Sequence, residues 1–584
     1  MNEEPKRIWK KSWPGPPWLF PWLLTVVATF IIILVIQLLL SDAPRRISDW
    51  AVILAVSAVM ATFFLGLVAF IRWLRSWRNF VRFLFGLACF ATLIALFYAV
   101  EDWRGRHEWL RFKQHWQARG EAFDMAGIAP APVPDDQNFA LTPIAFSSYG
   151  NLFTRDGKLI PNDQRPTNFV VRLSLPISEN EDPTNAAGDR IRGRFTNLQA
   201  WQNYYRALAA STNEFPVPPQ PGAPAADVLF ALAKYDSALD ELRAASRLPD
   251  SRFPLTYDSE SPETIMLPHL AALKTCARLL QLRSAAELQN GQPEKALADV
   301  SLGFQLADKI RTEPFIISHL VRLAMTHLML QSLWEGLAEH QWSDAQLAAL
   351  DMALAKFDFA ADYQRGIRGE NACITTEIER VRRHPNLLPD LGDYTEDAGK
   401  KSILSGSSFA ELIPSGWFYQ SQYRCARVML EYYLPVADVE QHRFLPDLGS
   451  RGDALVVAET KSAGPGNLLE RIMLPSLGKA GQRFAYEQAS VDSARTAIAL
   501  ERYHLAHGEF PESLAALVPQ FLPAVPPDVI GGQPLKYRRL AGDRFLVYSI
   551  GWDETDDGGV SVFAKASSPQ LDRSQGDWVW QNLP

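Results

Sequence analysis

The chain has 584 residues, a formal net charge of −7 at neutral pH and a sequence pI near 5.9. A protein that binds nucleic acid presents a basic surface to the phosphates, so this charge balance argues against a nucleic-acid partner. The chain contains only four cysteines, which excludes a scaffold built on disulfides.

Three runs without a charged residue lie in the first hundred positions, at residues 12–41, 51–71 and 83–100. At about 1.5 Å per helical residue, each run is long enough to cross a hydrocarbon core of about 30 Å, the third only just. The sequence therefore predicts that residues 1–101 form a three-helix transmembrane anchor in a lipid bilayer. The remaining residues form a large domain on one side of that bilayer.

Basic residues around these runs predict the orientation of the anchor. Four precede the first run and four lie between the second and third, whereas the loop between the first two runs has only two. Four more basic residues follow the third run. Eight basic residues therefore lie on the side of the N-terminus and six on the opposite side. By the positive-inside rule, the N-terminus lies in the cytoplasm and the large C-terminal part is extracytoplasmic.

Residues 102–224 begin with a predicted stalk. Trp109, Phe112 and Trp116 recur at helical spacing, which predicts that the third span continues as a helix to about Gly120. A proline-rich segment with the sequence PVPDDQNF follows, and its prolines favour an extended chain that is ordered by burial of Phe139. Residues 150–215 are interpreted as irregular with short β-type stretches, notably residues 169–175.

Residues 225–480 are predicted to form a helical domain. Its clearest part is an αα-hairpin at residues 280–310, where Gly291 and Pro293 separate two apolar helices. His269, His319, His327 and Glu313 have no metal-ligand spacing and are expected to be ordinary core or surface residues. The pairing state of Cys276, Cys373 and Cys425 stays open, although buried thiols are favoured over one disulfide.

Residues 481–584 are predicted to form a small α+β module. A long helix ends at Gly508, a short helix follows between prolines, and two β-type stretches flank residues 541–544 as a hairpin. The acidic sequence DETDDGG then starts at Asp553 and concentrates oxygen ligands beside glycines, an arrangement that suits a hard cation. A solvated acidic turn is the alternative, and an EF-hand is excluded because its twelfth position would be Ala564.

The order of these elements, with ALERYHLAHGEFPESLAALVP, PLKYRR and YSIGWDETDDGG, resembles the C-terminal domain of the major pseudopilin of type II secretion. The resemblance implies a calcium ion as cofactor near Asp553, Asp556 and Asp557, with the carbonyl of Ser549 as a further ligand. It also implies an envelope or secretion-system protein as partner. The chain lacks the prepilin start, so the resemblance does not extend to polymerisation into a pilus.

The membrane anchor, PVPDDQNFALTP, the helical middle and the GWDETDDGG ending together resemble an uncharacterised family of large bacterial membrane-anchored proteins. This resemblance implies the bacterial cytoplasmic membrane as the location. The function expected from the sequence is a non-catalytic, membrane-tethered extracytoplasmic scaffold or interaction protein of the envelope. The alternative is an extracytoplasmic hydrolase whose site is assembled from residues far apart in sequence.

Overall fold

A computed structural model describes residues 19–40 and 47–582, apart from 155–157, 159, 166–169, 179–181, 185, 213, 258–260, 389–412, 462–466, 475–476 and 565–570. The chain divides into two compact units, Met1–Val100 and Glu101–Pro584. The second unit contains all three parts predicted beyond the anchor, and the boundaries between those parts remain predictions.

The first unit contains α1 (Leu19–Leu40), α2 (Ile47–Leu74) and the beginning of α3 (Trp77–Gln117). Two helical segments, Ala55–Leu74 and Trp77–Gln117, are long and apolar enough to cross a membrane. Within α1, the side chains are described only for Trp22–Ile32, which is a shorter apolar segment. Among the residues with described side chains, the structure thus offers two candidate spans where the sequence predicted three, and the anchor itself remains a proposal.

The stalk prediction is confirmed, because α3 is one helix of 41 residues that ends at Gln117. Its apolar stripe beyond the third run packs into the second unit through Trp109 and Phe112, which are buried. The rings of Phe112 and Tyr423 meet edge to face, with centroids 5.2 Å apart. Gly120 follows with φ of +90°, a conformation that glycine adopts without a Cβ clash and that ends the helix.

The PVPDDQNF segment is ordered, as predicted, although it contains short helical turns at Asp135–Gln137 and Phe139–Leu141. Phe139 is fully buried against the ring of Phe253. The predicted β-type stretch at 169–175 is wrong over residues 170–175, which form no strand. Burial does alternate along it, with Leu173 and Leu175 buried and Arg172 and Ser174 exposed, but residues 170–175 pair with no strand.

The second unit is mainly α-helical, and prolines open many of its helices. Pro268 and Pro293 occupy first-turn positions, where the missing N–H costs nothing. The helices that follow α3 are α4 (Met125–Ile128), α5 (Pro143–Phe146), α6 (Leu198–Ser211), α7 (Pro224–Leu232), α8 (Asp236–Ser246), α9 (Pro268–Gln289), α10 (Pro293–Asp308), α11 (Ile316–Ala338), α12 (Asp344–Leu354), α13 (Phe359–Arg383), α14 (Ser415–Arg427), α15 (Pro446–Lys461), α16 (Leu468–Met473) and α17 (Gly478–His507).

The predicted αα-hairpin is confirmed as α9 and α10, which pack against each other and against α11. Gly291 closes the turn between them with φ of +68°. Gly303 on α10 lets Met329 of α11 lie directly against the α10 backbone, because a Cβ there would overlap the Met329 sulfur. Cys276 on α9 is a buried thiol that donates to the carbonyl of Leu173, and burial raises its pKa to about 12.

Short antiparallel sheets are concentrated at the C-terminus. The strands are β1 (Ala437–Asp438), β2 (Arg443–Phe444), β3 (Lys536–Leu540), β4 (Arg544–Ser549), β5 (Ser561–Phe563), β6 (Leu571–Gly576) and β7 (Trp578–Gln581). The predicted hairpin is confirmed as β3 and β4, and β7 adds to the other edge of β4. The long helix α17, buried through most of its length, packs on this sheet and on α11, α12 and α13.

Candidate functional site

A cavity of about 370 Å³ lies beside the stalk, between α3, α13 and α14. Each helix contributes one face to it, because its lining residues recur three or four positions apart. The lining residues on α3 are Arg106, Trp109, Leu110 and Lys113, those on α13 are Thr375, Thr376, Glu379, Arg380 and Arg383, and those on α14 are Tyr419 and Gln422. Phe123, Asp124 and His384 complete the wall.

Basic side chains dominate this stalk pocket. Arg380 pairs with Glu377, and Arg383 pairs with Glu379 at 3.0 Å. Burial acts to raise the pKa of Glu379, but hydrogen bonds and charge from Arg382 and Arg383 outweigh it and lower that pKa. Glu379 is therefore fully ionised at neutral pH and its charge is already neutralised by these arginines.

Arg106 and Lys113 are the two cations of the pocket that have no carboxylate within ion-pair distance among the described residues. Arg106 is exposed, and the Lys113 ammonium lies 5.9 Å from the centroid of the Phe123 ring. These two unneutralised cations lie seven residues apart on one face of α3, so this wall of the pocket has a positive potential that attracts anions. The aromatic and aliphatic wall beside them suits an apolar group attached to such an anion.

Gln422 adds an unsatisfied acceptor to the pocket. Its amide Nε2 donates to the carbonyl of Thr375 at 3.0 Å, whereas its buried Oε1 has no hydrogen-bond partner among the described residues. The hydroxyl of Thr376 is also buried without a described partner. Buried polar atoms are normally satisfied, and a ligand in the pocket would satisfy these two only if their side chains turned toward it.

The residues predicted to hold calcium lie in the exposed loop after β4. Asp553 accepts from the backbone N–H groups of Thr555 and Gly576, at 3.2 and 2.9 Å. Asp556 accepts from the Tyr548 hydroxyl and lies 3.5 Å from the Lys536 ammonium. Asp557 is exposed, and its backbone N–H donates to Asp577. The carboxylates of Asp553 and Asp556 thus shape the loop, and the calcium prediction stays untested.

Asp577 is the acidic residue that the sequence analysis missed. It is fully buried beneath the loop and accepts from the N–H groups of Asp557 and Gly559, at 3.3 and 2.5 Å. Burial raises its pKa, although these hydrogen bonds act in the opposite direction. The signal available in the sequence was its place between Gly576 and Trp578, in a turn between two short β-type stretches.

The histidines of the helical part are placed as expected, in ordinary core or surface positions. His269 is fully buried, with Nε2 at 2.6 Å from Glu313 and Nδ1 facing the Tyr149 hydroxyl. His319 is also buried, and burial lowers its pKa. The chain of Tyr149, His269 and Glu313 is closed to solvent, so a substrate has no access to it.

Three other residues form a group that could hold a metal. Among the described residues, only His340, Glu501 and His504 bring at least three ligand atoms of His, Cys, Asp or Glu side chains within 4.8 Å of one another. The sequence carried a signal for this group, since Glu501 and His504 are three positions apart and so share one face of α17. His340 is 161 positions from Glu501, which is why no motif includes it.

Comparisons of the chain with models of protein families, with curated proteins and with solved structures found no match.

Proposed function

We propose that this chain is a membrane-tethered protein of the bacterial envelope that acts by binding, with its second unit on the extracytoplasmic side of the cytoplasmic membrane. The stalk pocket is its ligand site, and the ligand is the anionic headgroup of a phospholipid. One observation carries this proposal: Arg106 and Lys113, which have no described carboxylate partner, belong to the same helix as the apolar run that ends at Val100.

Distance along α3 favours a lipid over a soluble ligand. Arg106 follows Val100 by six residues, about 9 Å along a helix. Basic residues this close to an apolar span are attracted to anionic lipids, by about 1 kcal/mol for each residue near the surface.

The unsatisfied acceptor distinguishes phospholipid headgroups that have a hydrogen-bond donor from those that have none. Arg106 and Lys113 would bind the phosphate, whereas Gln422 Oε1 needs a hydrogen-bond donor. A headgroup that joins a phosphate diester to free hydroxyls, as phosphatidylglycerol does, supplies both. Phosphatidylcholine has no hydrogen-bond donor in its headgroup and would leave Gln422 unsatisfied.

The binding test uses the full-length chain in nanodiscs that contain equal amounts of phosphatidylglycerol and phosphatidylcholine. After detergent extraction, native mass spectrometry counts the retained lipids. We expect the wild type to retain phosphatidylglycerol and the double variant Arg106→Gln, Lys113→Gln to lose it. The matched control Arg104→Gln, Arg111→Gln removes the same charge from the same helix outside the pocket and should retain the lipid.

Equal retention by both double variants would overturn the pocket assignment. Displacement of the lipid by millimolar soluble glycerol phosphate would instead assign the pocket to a soluble phosphorylated ligand. The orientation has a separate test: alkaline phosphatase fused after Ser147 should be active, and a cytoplasmic reporter at the same place should be silent. The reverse pattern would overturn the extracytoplasmic location.

A further inference from the structure

Three elements of the second unit meet at a cluster of two histidines and two carboxylates. His340 directly follows α11, and Glu501 and His504 lie near the end of α17. Asp543 lies in the turn between β3 and β4, and its Oδ2 is 2.7 Å from Nε2 of His504. Glu501 is buried and the other three are partly exposed, so the cluster lies at the surface with one buried side.

The two imidazoles differ in how they are held. His340 Nδ1 lies 2.7 Å from Oε1 of Glu501. His504 has its Nε2 held by Asp543, whereas its Nδ1 is buried and has no described hydrogen-bond partner. The two rings lie with their centroids 5.0 Å apart, and one ligand atom from each of His340, Glu501 and His504 lies within 4.8 Å of the other two.

This arrangement matches the way histidine binds metals in proteins. A ligating histidine uses one ring nitrogen for the metal and donates the N–H of the other to a carboxylate, which fixes the ring and the tautomer. His504 has that pattern, with Asp543 as the carboxylate and Nδ1 as the nitrogen left for a ligand. His340 has a φ of 52°, a left-handed conformation that a residue with a Cβ adopts only at a cost.

We propose that His340, Glu501 and His504 bind a Zn²⁺ ion, with Asp543 as the positioning residue of His504. Two imidazoles and one carboxylate are a zinc donor set, whereas calcium and magnesium prefer oxygen ligands alone. Ligands about 2.0–2.1 Å from a tetrahedral ion lie about 3.3 Å from one another. The donor atoms, all within 4.8 Å, reach that spacing by small side-chain movements.

The ion would fasten the end of α11 to the end of α17, and Asp543 would link the β3–β4 turn to the same point. The fourth coordination position of the zinc ion is left for a water molecule, because His340 is partly exposed to solvent. Since the three ligands come from segments far apart in the chain, zinc would bind the folded chain and not the unfolded one, and it would stabilise the second unit.

The test measures zinc in the full-length chain, purified in detergent without a polyhistidine tag. After incubation with zinc and exhaustive dialysis, elemental analysis should find one zinc per wild-type chain. His504→Ala and Glu501→Gln should lose it, whereas His507→Ala, a neighbour on α17 outside the cluster, should keep it. Asp543→Asn should weaken the zinc affinity by about 10- to 100-fold, as expected of a group that orients a ligand.

Cobalt gives an independent readout, because Co²⁺ in a tetrahedral site with nitrogen and oxygen ligands has visible absorption bands that zinc lacks. His340→Gln, which alters a partly exposed residue, should fold normally and lose these bands. Zinc retained equally by His504→Ala and His507→Ala, or a wild type that retains none, would overturn the proposal. Far-UV circular dichroism of each variant separates loss of metal from loss of fold.

Discussion

Gly105 of the stalk helix and Gly416 at the start of α14 pack backbone against backbone. A Cβ on Gly105 would overlap the carbonyl of Gly416, and a Cβ on Gly416 would overlap the carbonyl of Glu101. The contact is reinforced by Asp102, whose carboxylate accepts from the backbone N–H of Gly416 at 2.6 Å and so caps α14. The stalk is thereby built into the second unit.

Replacing either glycine by alanine should therefore destabilise the second unit. Neither backbone can move freely within its helix, so the added methyl group acts as overpacking, with an expected cost of about 1–3 kcal/mol. Thermal unfolding in detergent, followed by tryptophan fluorescence, measures the change. Gly86→Ala on the same helix has no atom within 4 Å of the new Cβ and is the matched control. If all three variants melted alike, the close contact would have no energetic role.

The PVPDDQNF segment gives a second prediction, which concerns Phe139 and Asn138. Phe139 is fully buried, so Phe139→Ala should cost about 3–5 kcal/mol. Asn138 Nδ2 donates to the carbonyl of Arg252, and Oδ1 accepts from the N–H groups of Arg252 and Ala140, at 2.9, 2.9 and 3.1 Å. Asn138→Ala leaves these backbone groups unpaired in a buried place and should also destabilise.

Chemical denaturation compares these variants with Asp136→Ala, whose side chain is exposed in the same segment. We expect Asp136→Ala to have the stability of the wild type. A segment that tolerated Phe139→Ala equally well would be a tether and not part of the core.

The sequence predicted this segment, the stalk, the αα-hairpin and the C-terminal hairpin because each depends on local signals. Prolines, a glycine with positive φ and an apolar stripe each act over a few residues. The local structure that they favour does not depend on contacts with distant parts of the chain. The β-type prediction was wrong over residues 170–175 for the converse reason. Alternating apolar residues there indicate a strand only if a partner strand exists, and the tertiary fold supplies none to the described residues.

The two candidate sites were not predicted because their parts are distant in sequence. Arg106, Arg383 and Gln422 lie on three separate helices, and each appears in the sequence as an ordinary charge or amide on a solvated face. The zinc cluster had one local signal, Glu501 with His504, but its remaining ligand depends on how α11 ends. Site residues supplied by different elements become visible only when packing brings them together.

A buried charge cluster between α8, α9 and α10 supplies the third prediction. Asp299 is fully buried, accepts from Arg283 Nε at 3.0 Å and also binds Arg243. Asp299→Asn leaves two guanidinium groups without their shared carboxylate, and breaking such a buried pair costs about 3–5 kcal/mol. Thermal unfolding measures this loss, and a variant that melted like the wild type would show that the guanidinium groups are solvated.

The fourth prediction concerns Glu287 in the same cluster. Replacing this carboxylate by an amide should stabilise the chain at high pH, whereas Asp299→Asn should destabilise it. Burial, with the nearby charge of Asp299, raises its pKa to about 8. Because this folded-state pKa exceeds that of the unfolded chain, the contribution of Glu287 is fully present below about pH 4.5 and is lost as the pH rises through 8. Glu287→Gln, which cannot ionise, should match the wild type near pH 4 and become the more stable chain as the pH rises. Parallel melting curves from pH 4 to 9 would contradict the raised pKa.

The last prediction tests calcium at the acidic loop of Asp553, Asp556 and Asp557. These exposed carboxylates repel one another, and an ion between them would remove that repulsion and fix the loop above the buried Asp577. Binding to the folded chain alone adds RT ln(1 + [L]/Kd), about 2.7 kcal/mol at a hundredfold excess over Kd. The melting temperature of the full-length chain should therefore rise with millimolar calcium and fall with a chelator.

Asp557→Ala should abolish this response to calcium, whereas Glu554→Gln, which removes a charge from the same loop outside the predicted ligands, should keep it. The ion has to compete with Lys536, which already neutralises part of the charge on Asp556. The Lys536→Met variant should accordingly respond at lower calcium concentrations than the wild type. If the melting temperature of all four chains is indifferent to calcium, the loop is a solvated turn held by its own hydrogen bonds to Thr555, Gly558 and Gly576.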